Sequence, residues 1–315
     1  MFRFPSKRDA HRDMHRVVDE QKSDRVAPVV SQLIVDSIVS GAIYSLLSFG
    51  FTITYGTLNF FNMAHGAAFT VGAYLFYCFQ TLLKLAFPWA VLLAVVGAAV
   101  VMVLVDLVAY ERLRAQRAPS WALVVSSIGV AIFIEAVISL IFGSDTLSVR
   151  TGEIRPGLPV FGAVITENQI TILIVTAVLM AALTVYLQGT LAGKALRAMA
   201  NDPEMGIVIG IEPRLTYMST FALASGLAAV AGCLVAMETD VYPTMGQSAL
   251  LKAIVASIIG GVGNVPGAVF GGLVLGVVEN FAVWQLNTGW QDGISLALLL
   301  IFMLIRQSRS FVLGK

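Results

Sequence analysis

Charge is what this sequence has least of. Only 12% of its 315 residues are Asp, Glu, Lys or Arg, about half the share found in soluble domains. A soluble fold of this length could not cover itself with so few charges, which excludes a soluble enzyme, a nucleic-acid binder and a disordered scaffold. Cysteine is scarce as well. Cys78 and Cys233 are the two present, and both lie in apolar runs, where they read as small buried hydrophobes rather than a disulfide or metal pair. There is no HExxH, no CxxC and no GxxxxGK[ST], so the chain has no P-loop with which to hold a nucleotide and no cofactor is expected. His11 and His15 stand one helical turn apart in a charged tail, a spacing read as accidental.

What is there is hydrophobic. Apolar residues make up 57% of the chain and glycine contributes 28 more positions, so the chain is an integral membrane protein. The charges crowd at one end: residues 1 to 28 hold seven Lys/Arg and five Asp/Glu. That tail has no apolar core or cleavage site of a signal peptide and reads as solvated and cytosolic. The net charge of +1 says nothing about partners, because in a membrane protein the distribution of Lys and Arg among loops is what matters. Runs long enough to cross a hydrocarbon core, about 20 residues, appear near 29 to 55, 60 to 83, 89 to 109, 121 to 142, 169 to 187, 216 to 237, 248 to 283 and 292 to 305.

Basic residues mark three candidate cytosolic stretches: Arg112, Arg114 and Arg117; Lys194, Arg197 and Arg214; Arg306, Arg309 and Lys315. Three blocks separate the N-terminal tail from Arg112, and three separate Arg214 from Arg306. An odd number cannot return the chain to the same side. The expectation is therefore one broken or re-entrant block in each half, at residues 55 to 74 and 259 to 272, where glycine, asparagine and proline interrupt the apolar pattern. Paired interruptions of this kind point to a transport pathway. Gly226, Gly232, Gly271, Gly272 and Gly276 read instead as small residues for close helix packing.

Ionisable groups inside the apolar body call for a functional reading. His65, flanked by Asn62 and Gly66, either ties an unwound backbone together or lines a substrate path, and Glu135 is open to the same two readings. Lys252 and Glu279 fall near segment ends, where snorkelling explains them, and Asp36 and Asp106 look similarly peripheral. In the second polar connection, Asp202 is placed to cap a helix, Pro203 to occupy its first position and Glu204 its first turn, with Gly210 as the stop. The spacing predicts a helix from Pro203 to Ile209. So short a helix needs a surface to dock on, either a partner or its own bundle.

Four stretches together resemble the permeases of the high-affinity branched-chain amino-acid ABC importers: 41 to 77, containing NMAHG, 193 to 211, 221 to 234, and 250 to 280. The resemblance implies an inner-membrane permease that pairs with a second homologous permease, two cytosolic ATPase subunits and a periplasmic substrate-binding protein. It makes 193 to 211, with Gly193, the segment that contacts an ATPase. Two departures stand out. The charged tail is longer than the family's, and Glu135 occupies a position expected to be neutral, which would mark an altered substrate.

The resulting expectation is an all-α polytopic membrane protein of eight to ten transmembrane or half-membrane helices in two pseudo-repeated halves. It has a cytosolic tail (1–28), a permease domain (29–306) with its coupling loop (188–215), and a cytosolic C-terminal tail (307–315). Its function would be ATP-driven import of branched-chain or related amino acids by alternating access, with no bond chemistry of its own. The substrate pathway is assigned to Asn62, His65, Gly66, Glu135, Gly263 and Asn264, and ATPase coupling to Gly193, Asp202, Pro203, Glu204 and Gly210; no metal site is expected. The alternatives are a permease for urea or short amides and a membrane-embedded lipid enzyme using Glu135 and His65 as acid and base.

Overall fold

A computed structural model describes residues 7–149, 157–160 and 162–312, with side chains described only between Val29 and Ile305. The expectations attached to His11, His15, Arg306, Arg309 and Lys315 lie outside the described residues. Helix α1 (Lys7–Leu58) contains the first span, Val29–Leu58. It stops where Asn59 takes a left-handed φ of 55°. Helix α2 (Ala64–Tyr77) follows and runs into a π turn, Cys78–Leu82. Helix α3 (Phe87–Val105) has proline in its first turn, where a missing N–H costs nothing. It continues through a second π turn, Asp106–Tyr110, into α4 (Glu111–Ala115).

Helix α5 (Ser120–Phe142) starts after Pro119. A short antiparallel hairpin, β1 (Leu158–Val160) and β2 (Ala163–Ile165), leads to α6 (Glu167–Gly189), which opens on a capping box between Thr166 and Gln169. Then come α7 (Leu191–Asn201), α8 (Pro203–Val208), α9 (Pro213–Glu238), α10 (Met245–Gly260), α11 (Val265–Gln285) and α12 (Gln291–Val312). Among the described residues, seven helices are long and apolar enough to cross a membrane, and α10 is a shorter apolar helix.

Burial divides these helices into a centre and a ring. The most apolar windows of α1 and α9 are 67% and 78% buried, whereas those of α3, α5 and α6 reach 22% at most. Apolar side chains such as Leu92, Val125, Ile132 and Val178 therefore point outward, as lipid-facing surfaces require. Central helices touch through small residues: Gly72 of α2 and Gly232 of α9 meet the facing backbone, and Gly272 and Gly276 of α11 lie on Ser45 and Gly41 of α1. Close approach of this kind supplies dispersion contact where no hydrophobic effect operates between helices. Gly271 is likewise pressed on Ala256, whereas Gly226 meets only the Val95 side chain at 3.5 Å.

Contacts also fix the direction of each helix. At one end, here the basic end, Tyr110 packs between Phe60 and Phe221, and Arg214 pairs with Glu111 at 2.9 Å. At the opposite end, Gln32 accepts a hydrogen bond from the Val164 backbone, Asp36 accepts one from Gln169, and Leu147 bridges to Val241. Helices α1, α2 and α3–α4 thus alternate direction, as do α9, α10, α11 and α12.

The parity expectation is half corrected by this arrangement. The 248 to 283 block is two antiparallel helices, which adds the crossing needed in the second half. In the first half, the interruption is only the joint between α1 and α2, and three helices still separate the tail from Arg112. The first span therefore begins at the end opposite Arg112, Arg114 and Arg117. The physical reason is that Asn59 to Met63 reverses the chain, because the backbone groups freed there find partners in neighbouring helices.

Candidate functional site

The joint after α1 is held by side chains from elsewhere. Asn62 is buried, and its Oδ1 accepts from the Ala64 backbone N–H at 3.1 Å and from Tyr110 Oη at 3.4 Å. The Met63 N–H donates to Ser127 Oγ of α5 at 3.0 Å. These contacts satisfy part of the donor set that a helix start leaves unpaired. His65 is buried too, with Nε2 at 3.2 Å from the Leu47 carbonyl and its ring edge-on to Phe51. Both side chains tie the break to α1 and α3–α4.

Beside this joint lies a cavity of about 310 Å³ between α2, α5 and the start of α10. Gly66, Ala67 and Thr70 form one wall, Ile128, Ile132 and Glu135 a second, and Gly246, Gln247 and Leu250 the third. Gly66 and Gly246 allow the wall helices to touch backbone to backbone, since a Cβ on either would overlap the other's carbonyl. Glu135 stands on a face of α5 whose neighbours Ile128 and Ile132 are 41% and 62% exposed. A carboxylate among them is costly in hydrocarbon unless it meets water or protein. Gln247 Nε2 donates to its Oε2 at 2.8 Å, and the first turn of α10, the positive end of its dipole, borders the same space through Gly246 and Gln247.

The six assigned pathway residues therefore do not converge. Gly66 and Glu135 line the cavity; Asn62 and His65 stand behind it. Gly263 and Asn264 lie at the basic end, in the turn between α10 and α11, where Gly261 and Gly263 have φ of 90° and 84° and Asn264 caps its own helix at Gly267. Ser257 of α10, near that end, bonds Thr52 of α1 rather than anything in the cavity. Sequence reasoning overlooked Gln247, whose only signal was a polar residue at the start of an apolar helix.

The connection between α6 and α9 forms as its sequence directs. Asp202 accepts from the Met205 N–H at 3.0 Å, and α8 begins with Pro203, with Glu204 exposed in its first turn. The helix ends at Val208, one residue short of expectation. Gly210, at φ 89°, closes it by donating to Ile207, while the Ile211 N–H reaches back to Gly206 at 3.0 Å. Met205, Ile207, Val208 and Ile209 are left exposed, as are Leu191 and Leu215. Gly193 takes no part in that face. It is pressed on Leu187, where it lets α7 fold back on α6.

Two further readings are corrected. Lys252 and Glu279 do not snorkel; both are buried and pair at 2.8 Å, with Tyr44 Oη donating to Glu279 Oε1 at 2.9 Å and accepting from Lys252 Nζ at 3.1 Å. Asp106 is buried as well, paired at 2.6 Å with Arg114, whose guanidinium lies over Tyr217. Linear position near a segment end concealed both, because their partners come from other helices or from beyond a π turn.

Comparison with known proteins gives this architecture a family. The family described as "Branched-chain amino acid transport system / permease component" matches residues 33–303. The high-affinity branched-chain amino acid transport system permease protein LivH of Salmonella typhimurium is 32% identical over 287 residues, covering 87% of this chain and 92% of that protein. LivH of Escherichia coli K12 matches to the same extent. BraD of Pseudomonas aeruginosa, of the same description, is 32% identical over 290 residues, covering 87% and 93%. An apolar helical bundle with a largely apolar cavity holding one Glu–Gln pair, and an exposed apolar helix at its basic end, thus belongs, over most of its length, to the permease components of branched-chain amino-acid transport systems.

Proposed function

We propose that this chain is the translocating subunit of an ATP-driven importer and that an aliphatic amino acid passes along the cavity between α2, α5 and α10. Its similarity to branched-chain amino-acid permeases favours a transport subunit over an enzyme and that cargo over urea or a short amide. The observation that carries the pathway is Glu135, paired with Gln247 in an otherwise apolar cavity. The cargo's ammonium group would meet the carboxylate, its carboxylate would face the positive dipole end of α10, and its side chain would lie on Ile128, Ile132 and Leu250. A neutral amide would gain much less from Glu135.

The exposed face of α5 beside Glu135 suits a second, homologous permease, which would spare the carboxylate from lipid. The exposed side chains of α8 suit an ATPase subunit at each permease, and the opposite end would receive the cargo from a substrate-binding protein. ATP-driven movement of α7 and α8 would shift the bundle between outward-open and inward-open states. In this orientation the basic end faces the cytosol of a bacterial inner membrane, and the charged N-terminal tail lies outside. Labelling cysteines placed at Ser144 and Ser23 from outside intact cells, but not one at Ser308, is the expected result; the reverse pattern overturns the orientation.

The deciding experiment is uptake of labelled leucine by the complex carrying Glu135→Gln. Uptake should fall while thermal stability in detergent holds. Undiminished uptake would return Glu135 to a structural role.

A further inference from the structure

Helix α10 bears the cavity on one side, with Gly246, Gln247 and Leu250, and on others it slides against glycine. Gly246 lies on Gly66, Gly260 on Gly267, and Ala256 on Gly271. Such smooth contacts supply dispersion but few keyed positions, and nothing in lipid pays a helix to prefer one rotation over its neighbour. Yet Gln247 must point at Glu135 for the pair to form.

We infer that Lys252, Glu279 and Tyr44 are positioning residues that lock the rotation and depth of α10 and thereby hold Gln247 in the cavity. The inference rests on the cavity's being the pathway only for its effect on transport. Lys252 follows Gln247 by five positions, about 140° around the helix and about 7.5 Å along it, so it anchors the back of α10 while Gln247 faces forward. Its ammonium, the Glu279 carboxylate of α11 and the Tyr44 hydroxyl of α1 form a closed triangle with sides of 2.8, 2.9 and 3.1 Å. Donors and acceptors match: Lys252 donates to both partners, and Tyr44 accepts from Lys252 and donates to Glu279. One point therefore joins three central helices.

Stability alone is a poor explanation for this group. Burying two charges is costly, and well-packed apolar replacements of such pairs are often neutral or stabilising. Here the carboxylate is also left with one oxygen, Glu279 Oε2, that is buried without a hydrogen-bond partner. What an apolar replacement cannot reproduce is the geometric requirement that these three atoms meet, which fixes α10 in one register.

The test uses the full transport complex with Cys78→Ala and Cys233→Ala in the permease. A reporter, Leu250→Cys, is read by its labelling rate with a small methanethiosulfonate. Three variants are compared: the parent, the apolar triple Tyr44→Phe/Lys252→Met/Glu279→Leu, and the swap Lys252→Glu/Glu279→Lys. The apolar triple should accumulate in the membrane with unchanged basal ATP hydrolysis. Its Leu250→Cys labelling should change about tenfold, and, without the reporter, its KM for leucine uptake should rise about tenfold, as expected for a lost interaction of ordinary size. The swap should restore labelling to within about twofold. Parent-like labelling in the triple overturns the inference, as does failure of the triple to accumulate, which would make the group a stability element. A swap that behaves like the triple also overturns it. Altered labelling with an unchanged KM would uphold the register role while removing the cavity from the transport path.

Discussion

The two interruptions in this chain carry similar residues and solve different problems. Between α1 and α2, the break is buried at Phe60 and Asn62, and other helices complete it: Ser127 of α5 receives the Met63 N–H, and Tyr110 reaches Asn62 from beyond α3. Between α10 and α11, the break is partly exposed and supplies its own chemistry, with two glycines at positive φ and Asn264 bonded to its own helix. The first is a tertiary joint and the second a local turn. A break deep in a membrane protein needs outside donors and acceptors, whereas one near an end needs only permissive residues.

That difference should be measurable. The largest effect is expected from Gly66→Val beside the buried joint, because a side chain there meets the Gly246 backbone. The variant should fail to accumulate in the membrane, as measured by immunoblot of membrane fractions. Ser127→Ala should come next, since it strands a part-buried N–H, at a cost near the lower end of the about 1–3 kcal/mol of a buried one, and should lower the Tm in detergent. Asp202→Ala concerns a third helix start, the exposed α8. Losing its cap at a cost of about 1 kcal/mol should reduce uptake and ATPase co-purification while leaving the bundle's Tm nearly unchanged. Smallest should be Gly263→Ala at the open turn, where positive φ costs about 1–2 kcal/mol in a rigid site and relaxation of an exposed loop lowers that. If Gly263→Ala proved worse than Ser127→Ala, the distinction between joint and turn would fail.

The two breaks also differ in how far they could be read from sequence. Chain-breaking residues located both. The side chains that complete the first come from 48 and 64 positions away, and no local pattern indicates them. Hence Asn62 and His65, polar residues at a break, read as pathway residues although they serve the joint, and of the three assigned there Gly66 alone lines the cavity.

Composition and local pattern determined that this is a membrane bundle, where its apolar helices run, where they break, and how Asp202, Pro203 and Gly210 frame α8. All of these depend on hydropathy over about 20 residues or on hydrogen bonds within one turn. Tertiary structure alone decided that Lys252 and Glu279 meet Tyr44, that Gln247 faces Glu135, and that the first span enters opposite Arg112. Each of these depends on which helix faces which. In lipid, that choice rests on backbone closeness at glycines and on a few buried polar contacts between residues as much as 235 positions apart.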